Sequence, residues 1–216
     1  FNIFNGQDKI LYPNQAVNEI SPFVFNHHIF KNKIKKNTTI VGYYQSEKYF
    51  LDYRNELLKI LKFSKDNTAQ FEYYFNKIKK SNSVAIHFRR ADYLSKNLND
   101  THNILSIDYY QRSIDFIKKK IKKPSFFIFT DDPTFIKNTI FVKKNKCILI
   151  ETKSSYQDLH LMSKCKHFII ANSSYSWWGA WLGLNKKKIV CAPNKWINAN
   201  ILTNDIIPKS WIKIKI

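Results

Sequence analysis

His167-Phe-Ile-Ile-Ala-Asn-Ser-Ser-Tyr-Ser-Trp-Trp-Gly-Ala-Trp181 is the stretch whose reading decides the fold. Residues 167–171 are apolar on both faces, as in a strand inside a sheet. Asn172, Ser173 and Ser174 are small and polar, and from residue 175 to 184 the chain reads as a helix. Trp177, Trp178 and Trp181 then sit at i, i+1 and i+4 and turn toward a core. A buried strand feeding straight into a helix is half of a parallel β–α repeat. The same alternation continues on either side. Strands are predicted at 84–88, 126–130, 147–150 and 188–192, and helices at 107–121, 132–138 and 155–164. Doubly apolar strands separated by helices predict a Rossmann-like α/β layer: a parallel sheet with helices on both faces.

Upstream of residue 80 the pattern is mainly helical. Ser46 is positioned to cap a helix over 47–62, and a second helix is expected over 68–79. Two regions follow: 1–80, and a Rossmann-like domain over 81–216.

Sheets of this kind bind ligands beyond the C-terminal ends of their strands, so the polar residues there are the candidates. The first end is His87-Phe-Arg-Arg-Ala-Asp92. Only four of the 36 basic residues are arginines, so an adjacent pair needs a reason. Guanidinium forks grip phosphate oxygens in a way lysine cannot; the other reading is an Arg–Asp pair bracing a loop. Thr130-Asp-Asp-Pro133 is the second end. Asp131 and Asp132 could hold a base, a ribose or a metal, or Asp131 could cap the next helix. At the third end, Asn172, Ser173, Ser174 and Tyr175 lead into a helix N-terminus, whose N–H groups and dipole suit a phosphate. The bland reading of either serine is a helix cap.

The sequence has four glycines, at 6, 42, 179 and 183, and neither GxGxxG nor GxxxxGK[ST] can be written with them. A nucleotide would have to be held by arginines and a helix N-terminus. His27-His28, His102 and His160 read as ordinary histidines, and no Ser-His-Asp arrangement has support. Cys147, Cys165 and Cys191 form no CxxC and read as small buried hydrophobes in a reducing compartment. The formal charge of +20 comes largely from scattered lysines. It favours anionic partners such as nucleotides, acidic glycans or phospholipid headgroups, but no basic stripe points to nucleic acid. No run approaches the ~18 apolar residues of a membrane span. The start, Phe1-Asn-Ile-Phe-Asn5, has neither Met nor a signal-peptide pattern.

Val84-Ala-Ile-His-Phe-Arg-Arg-Ala-Asp-Tyr93 resembles the HxRRxDY motif of the α-1,2-fucosyltransferases of glycosyltransferase family 11. The segments 126–132, 158–181 and 42–50 resemble further stretches of that family, in family order. The resemblance implies a GT-B-like architecture, with the donor in the C-terminal half and an acceptor-side region over 1–80. It implies inverting transfer of fucose from GDP-fucose to a galactose hydroxyl of a glycan, with no metal. Arg89 and Arg90 would hold the diphosphate. His87 with Asp131 or Asp132 would lie near the guanosine, and Asn172, Ser173, Ser174 and Tyr175 near the β-phosphate. Arg90 is then the charge-stabilising catalytic candidate. Asp92 is the nearest carboxylate for proton transfer, with an ion pair to Arg90 as its other reading. An O-antigen or similar surface polysaccharide is the implied acceptor. The expected location is cytoplasmic, with peripheral attachment to the anionic inner-membrane surface as a further option. Family members open with a glycine-rich segment of the type GGLGNQ, which these glycines exclude. A truncated N-terminal part is therefore expected, with a GDP-sugar-binding module lacking turnover as the alternative function.

Overall fold

The computed structural model describes residues 16–19, 21–27, 29, 38–63, 68–91, 94, 104–152, 154–198 and 201–216. The chain divides into two compact units, residues 1–52 with 202–208, and residues 53–201 with 209–216. The division thus falls nearer residue 52 than residue 80, because the helix expected over 68–79 packs on the sheet.

In the first unit, β1 (Ala16–Asn18) pairs in parallel with β2 (Thr39–Val41). The Glu19 carboxylate accepts the backbone N–H groups of Tyr43 and Tyr44, at 2.7 and 3.0 Å. The returning segment contributes Asp205, which accepts the N–H of Phe25 at 2.9 Å and pairs with Lys48. The helix expected over 47–62 is broken. Ser46 caps only a 3₁₀ turn, Glu47–Tyr49, and a second such turn, Leu51–Tyr53, follows. Phe50 leaves helical geometry at φ −141°. A true α-helix, α1 (Arg54–Ile60), begins only in the second unit and buries none of its residues.

The second unit continues with α2 (Ala69–Lys79), β3 (Asn82–Phe88), α3 (Ile107–Lys120), β4 (Pro124–Thr130), α4 (Pro133–Lys137) and α5 (Ile140–Asn145). Then come β5 (Ile148–Leu149), α6 (Ser155–Ser163), β6 (His167–Ile169), α7 (Ser174–Leu182), β7 (Val190–Pro193) and β8 (Ile212–Ile214). The six strands are all parallel, in the order β5-β4-β3-β6-β7-β8. Counted within the unit this is 3-2-1-4-5-6, the doubly wound order, which reverses direction between β3 and β6. α5 and β8 were not expected from sequence.

Strand alternation sorts the core. Val84, Ile86 and Phe88 of β3, with Phe126 and Ile128 of β4, pack with Tyr109, Tyr110, Ile114 and Ile117 of α3 and with Ile136 and Phe141 of α4 and α5. Each fully buried side chain of this size contributes roughly 1.5–3 kcal/mol before entropy. On the opposite face α2, α6 and α7 pack together. There Phe71, Leu161, Met162 and Trp181 are buried along with Phe127 and Phe168 of the sheet. Helices therefore cover both faces. The end of α7 is tied by cations: Lys188 Nζ donates to the carbonyls of Ala180, Trp181 and Gly183 at 2.7–3.2 Å. Arg54 adds a 2.8 Å bond to the Trp181 carbonyl. Cys165 and Cys191 are buried thiols and Cys147 is half-buried, none of them in a disulfide.

Candidate active site

At the switch point β3 and β6 stop pairing after Ile86–Ile169. Two tyrosines of α3 donate to carbonyls at this end of the sheet, of which that of Cys191 also accepts the Ile170 N–H at 2.9 Å. Tyr110 donates to the His87 carbonyl at 3.1 Å, and Tyr109 to those of Ile170 and Cys191 at 2.6 and 3.3 Å. Beyond this switch point, where doubly wound sheets place their ligand crevice, the three predicted strand ends come together.

Arg89 and Arg90 follow β3, and each meets one carboxylate from the end of β4. Arg89 Nη1 lies 3.3 Å from Asp131 Oδ2, and Arg90 Nη1 lies 2.9 Å from Asp132 Oδ2. Asp131 also accepts the backbone N–H of Arg90 at 2.9 Å. Asp132, not Asp131, caps the next helix: its Oδ1 takes the Phe135 N–H at 3.0 Å, with Pro133 at the first helical position. Asp131 lies one residue too early and points back to the arginine loop. The Arg90 guanidinium stacks over the Phe135 ring at 4.0 Å. The paired carboxylates brace the arginines, and both guanidiniums remain partly open to solvent.

His87 is buried, and its Nδ1 makes no hydrogen bond. Burial, reinforced by the Arg89 charge, pushes its pKa down to about 3, so the ring is neutral. Its centroid lies 5.3 Å from that of Tyr175 in the first turn of α7. This ring pair joins the end of β3 to the start of α7 across the switch point. Tyr175 donates to the Ser155 carbonyl at 2.6 Å. Burial and the Asp158 charge raise the pKa of its hydroxyl, and Arg89 opposes them. Arg89 is thus the arginine whose field reaches α7, while Arg90 turns toward α4.

Ser173 occupies the N-cap of α7 in extended conformation, yet its hydroxyl makes no capping bond, and Ser174 is exposed. Ser173 therefore supplies no side-chain cap to the first turn of α7. Ser176 turns its hydroxyl inward to the carbonyls of Ala171 and Ser173. Asn172 is buried and donates to the Trp196 carbonyl at 3.0 Å, tying β6 to the segment after β7. Asp92 lies outside the described residues. So does His102.

One residue at the crevice was not singled out from the sequence. Asp158, in the first turn of α6, accepts from the Thr152 hydroxyl at 2.7 Å, and burial raises its carboxyl pKa. It shares the first turn of α6 with Ser155, whose carbonyl accepts the Tyr175 hydroxyl of α7, and its charge helps to raise the Tyr175 pKa. The available signal was its position in the helix after β5, a strand end as eligible as the other three. Among the described residues no three His, Cys, Asp or Glu side chains gather as a metal-ligand group.

Residues 25–215 match the profile of Glycosyl transferase family 11. An alpha-1,2-colitosyltransferase of Escherichia coli is 32% identical over 230 residues, covering 99% of this chain and 79% of the relative. The O-antigen biosynthesis glycosyltransferase WbnK of Escherichia coli is 32% identical over 194 residues, covering 85% and 63%. Among solved structures, NodZ α-1,6-fucosyltransferase soaked with GDP-fucose matches with a TM-score of 0.44 and 16% identity, covering 72% of this chain and 55% of that one. The chain thus spans between about half and four-fifths of the length of these proteins. On the family match and the two relatives, the chain belongs to glycosyltransferase family 11.

Proposed function

We propose that this chain moves fucose from GDP-fucose to a galactose hydroxyl of a glycan, forming an α-1,2 bond with inversion and without a metal ion. One observation carries the reading. The His87–Tyr175 contact brings the strand end that bears both arginines against the first turn of α7, which the Ser173 hydroxyl does not cap. Two guanidiniums and a row of N–H groups facing one crevice suit a pyrophosphate. Family membership supports a sugar-nucleotide donor. The choice of fucose rests on the motif resemblance of residues 84–93 and 158–181.

In the proposed reaction the acceptor oxygen attacks the sugar carbon from the face opposite the nucleotide. The carbon–oxygen bond to the β-phosphate breaks, and the electron pair leaves with GDP. Charge grows on the β-phosphate as it departs. Donors already fixed there stabilise the transition state more than the ground state. Arg89 and Arg90 serve as those donors together with the N–H groups at Ser174 and Tyr175. His87, neutral and buried, offers its Nδ1 to the nucleoside, and Asp131 or Asp132 offers a carboxylate oxygen. Asp92 takes the acceptor hydroxyl proton.

A second reading has a specific observation behind it. The relative named for colitose transfer matches almost the whole chain, which makes GDP-colitose the competing donor.

The test is a transfer assay with each donor and a galactose-terminated oligosaccharide, following GDP release and the product linkage. An α-1,2-fucosylated product, formed equally well with EDTA present, is expected. Transfer from GDP-colitose alone would reassign the donor. GDP binding without GDP release, whatever the acceptor, would make the chain a binding module. A strict Mn²⁺ requirement would overturn the metal-free mechanism.

A further inference from the structure

Residues 42–50 stand out in the sequence but supply none of the donor-site groups named above. They begin where β2 ends. β1 and β2 are parallel, so their C-terminal ends lie side by side, the edge at which parallel sheets take ligands. Glu19 follows β1 and Tyr43 follows β2, and the two ends are joined. The Glu19 N–H donates to the Val41 carbonyl at 2.8 Å, and Glu19 Oε2 accepts the N–H groups of Tyr43 and Tyr44. The adjacent tyrosines then part. Tyr44 folds inward: its hydroxyl donates to the carbonyls of Val17 and Val41 at 3.4 and 3.2 Å, and its ring meets that of Tyr49 edge-on at 5.1 Å. Tyr43 is turned outward and is 79% exposed.

A lone exposed tyrosine needs no explanation, but this one is held out by its surroundings. Tyr44 has φ +49°, in the left-handed region that a bulky residue rarely enters. At Gly42 an added Cβ would stand 2.4 Å from that of Glu19, so glycine alone lets Glu19 close on the turn. Glu19 Oε1 is buried and makes no hydrogen bond among the described residues, which is unfavourable. A strained residue, a required glycine and a half-satisfied carboxylate thus fix the backbone under Tyr43. Strain of this kind persists at ligand-binding positions.

We propose that the Tyr43 ring is a platform on which a hexose of the acceptor glycan stacks, an inference that rests on the glycan transfer proposed above. One aromatic face matches one pyranose ring, whose C–H groups pack on the π surface while its hydroxyls stay in water. A single ring is far smaller than the roughly 1,000 Å² that a stable protein partner needs. It is also neutral, and so suits a neutral sugar where the arginine–carboxylate crevice suits a diphosphate.

Two measurements test the platform, both with the galactose-terminated disaccharide lactose. Lactose is titrated into the full chain without donor, followed by saturation-transfer NMR, and it serves as acceptor in the transfer assay. Tyr43→Ala should weaken lactose binding and raise the acceptor KM by about tenfold or more, with the donor KM within about threefold of wild type, as for truncation of one aromatic anchor. Tyr43→Phe keeps the ring and should stay within about threefold of wild type in both measurements. Tyr73→Ala, at a tyrosine 55% exposed on α2, should change neither. Circular dichroism checks that the variants fold. Transfer with an unchanged acceptor KM in Tyr43→Ala would overturn the platform and leave the transferase reading standing. So would a donor KM raised as much as the acceptor KM, or an equal loss in Tyr43→Phe. If the wild type transfers to no acceptor, the transferase reading fails and the titration decides alone: lactose binding lost in Tyr43→Ala would support the platform, and absence of lactose binding by the wild type would overturn it.

Discussion

Replacing Arg90 with lysine separates structure from chemistry at the crevice. The substitution keeps one positive charge and can keep the contact with Asp132, now 2.9 Å from Nη1. What it removes is the flat fork: the second N–H group, and the planar stack on Phe135 at 4.0 Å. The structural loss is small. The Arg90 and Asp132 side chains are 32% and 21% exposed, so solvent screens their pair to about 0.2–1 kcal/mol, much of which lysine retains. Loss of the stack adds about 0.5 kcal/mol at such a site. Urea unfolding should therefore shift by less than about 1 kcal/mol. The chemical loss is large if the guanidinium meets the departing phosphate. Removing one donor at a developing charge typically lowers turnover about 10²–10³-fold. Initial rates of GDP release at saturating donor give that number directly. The reasoning is refuted if turnover stays within about threefold of wild type. It is equally refuted if the lost rate follows a loss of folding stability above about 2 kcal/mol, far more than a screened surface pair supplies.

Tyr175→Phe removes the 2.6 Å bond to the Ser155 carbonyl; it should cost about 1 kcal/mol in urea unfolding and raise the donor KM more than it lowers kcat. The His87 pKa, near 3 when folded, lies below that of an unfolded histidine at about 6.5. Below pH 6.5 the unfolded chain takes up a proton that the folded chain refuses, so this contribution to stability is complete above that pH and falls away toward pH 3. His87→Asn should flatten the slope of unfolding free energy over that window by up to about 1.4 kcal/mol per pH unit; an unchanged slope would contradict a buried neutral ring. At Gly183 an added Cβ would stand 2.6 Å from Cζ of the buried Phe168 ring. Gly183→Ala should accordingly destabilise by about 1–3 kcal/mol in thermal or urea unfolding, since a rigid ring cannot turn aside.

The strands at the centre of the sheet could be read directly, because Val84–Phe88 and Phe126–Phe129 are buried on both faces and carry no alternation to misread. The arginine pair was legible for a different reason: in a lysine-rich chain, arginine marks a need for fork geometry. Short and edge elements were hidden. β8 is three residues with a lysine in the middle and both isoleucines at least partly open, so its sequence resembles a loop. α5 follows α4 after two residues and lacks a side-chain cap. The run over 47–62 has helical spacing, but the periodicity says nothing about the chain leaving one compact unit for another near residue 52. Capping by Asp132 in place of Asp131 turned on one residue, a margin at which sequence reasoning cannot choose between neighbours with the same side chain. Asp158 was passed over because it stands inside α6, well past the end of β5, and the reading looked only at the residues just after each strand.

The two Arg–Asp contacts carry a further consequence for selectivity. Among the described residues around this crevice, two guanidiniums face two carboxylates, so the resting site supplies its own counter-ions and has little net pull on a bare anion. Inorganic phosphate gains only what it can take from Asp131 and Asp132. The side chains are nevertheless already immobilised, so a ligand meeting several groups at once spends little entropy on ordering them. Such a site discriminates by the number of simultaneous contacts, not by charge; on the proposed function, it would release a nucleotide whose sugar has been removed.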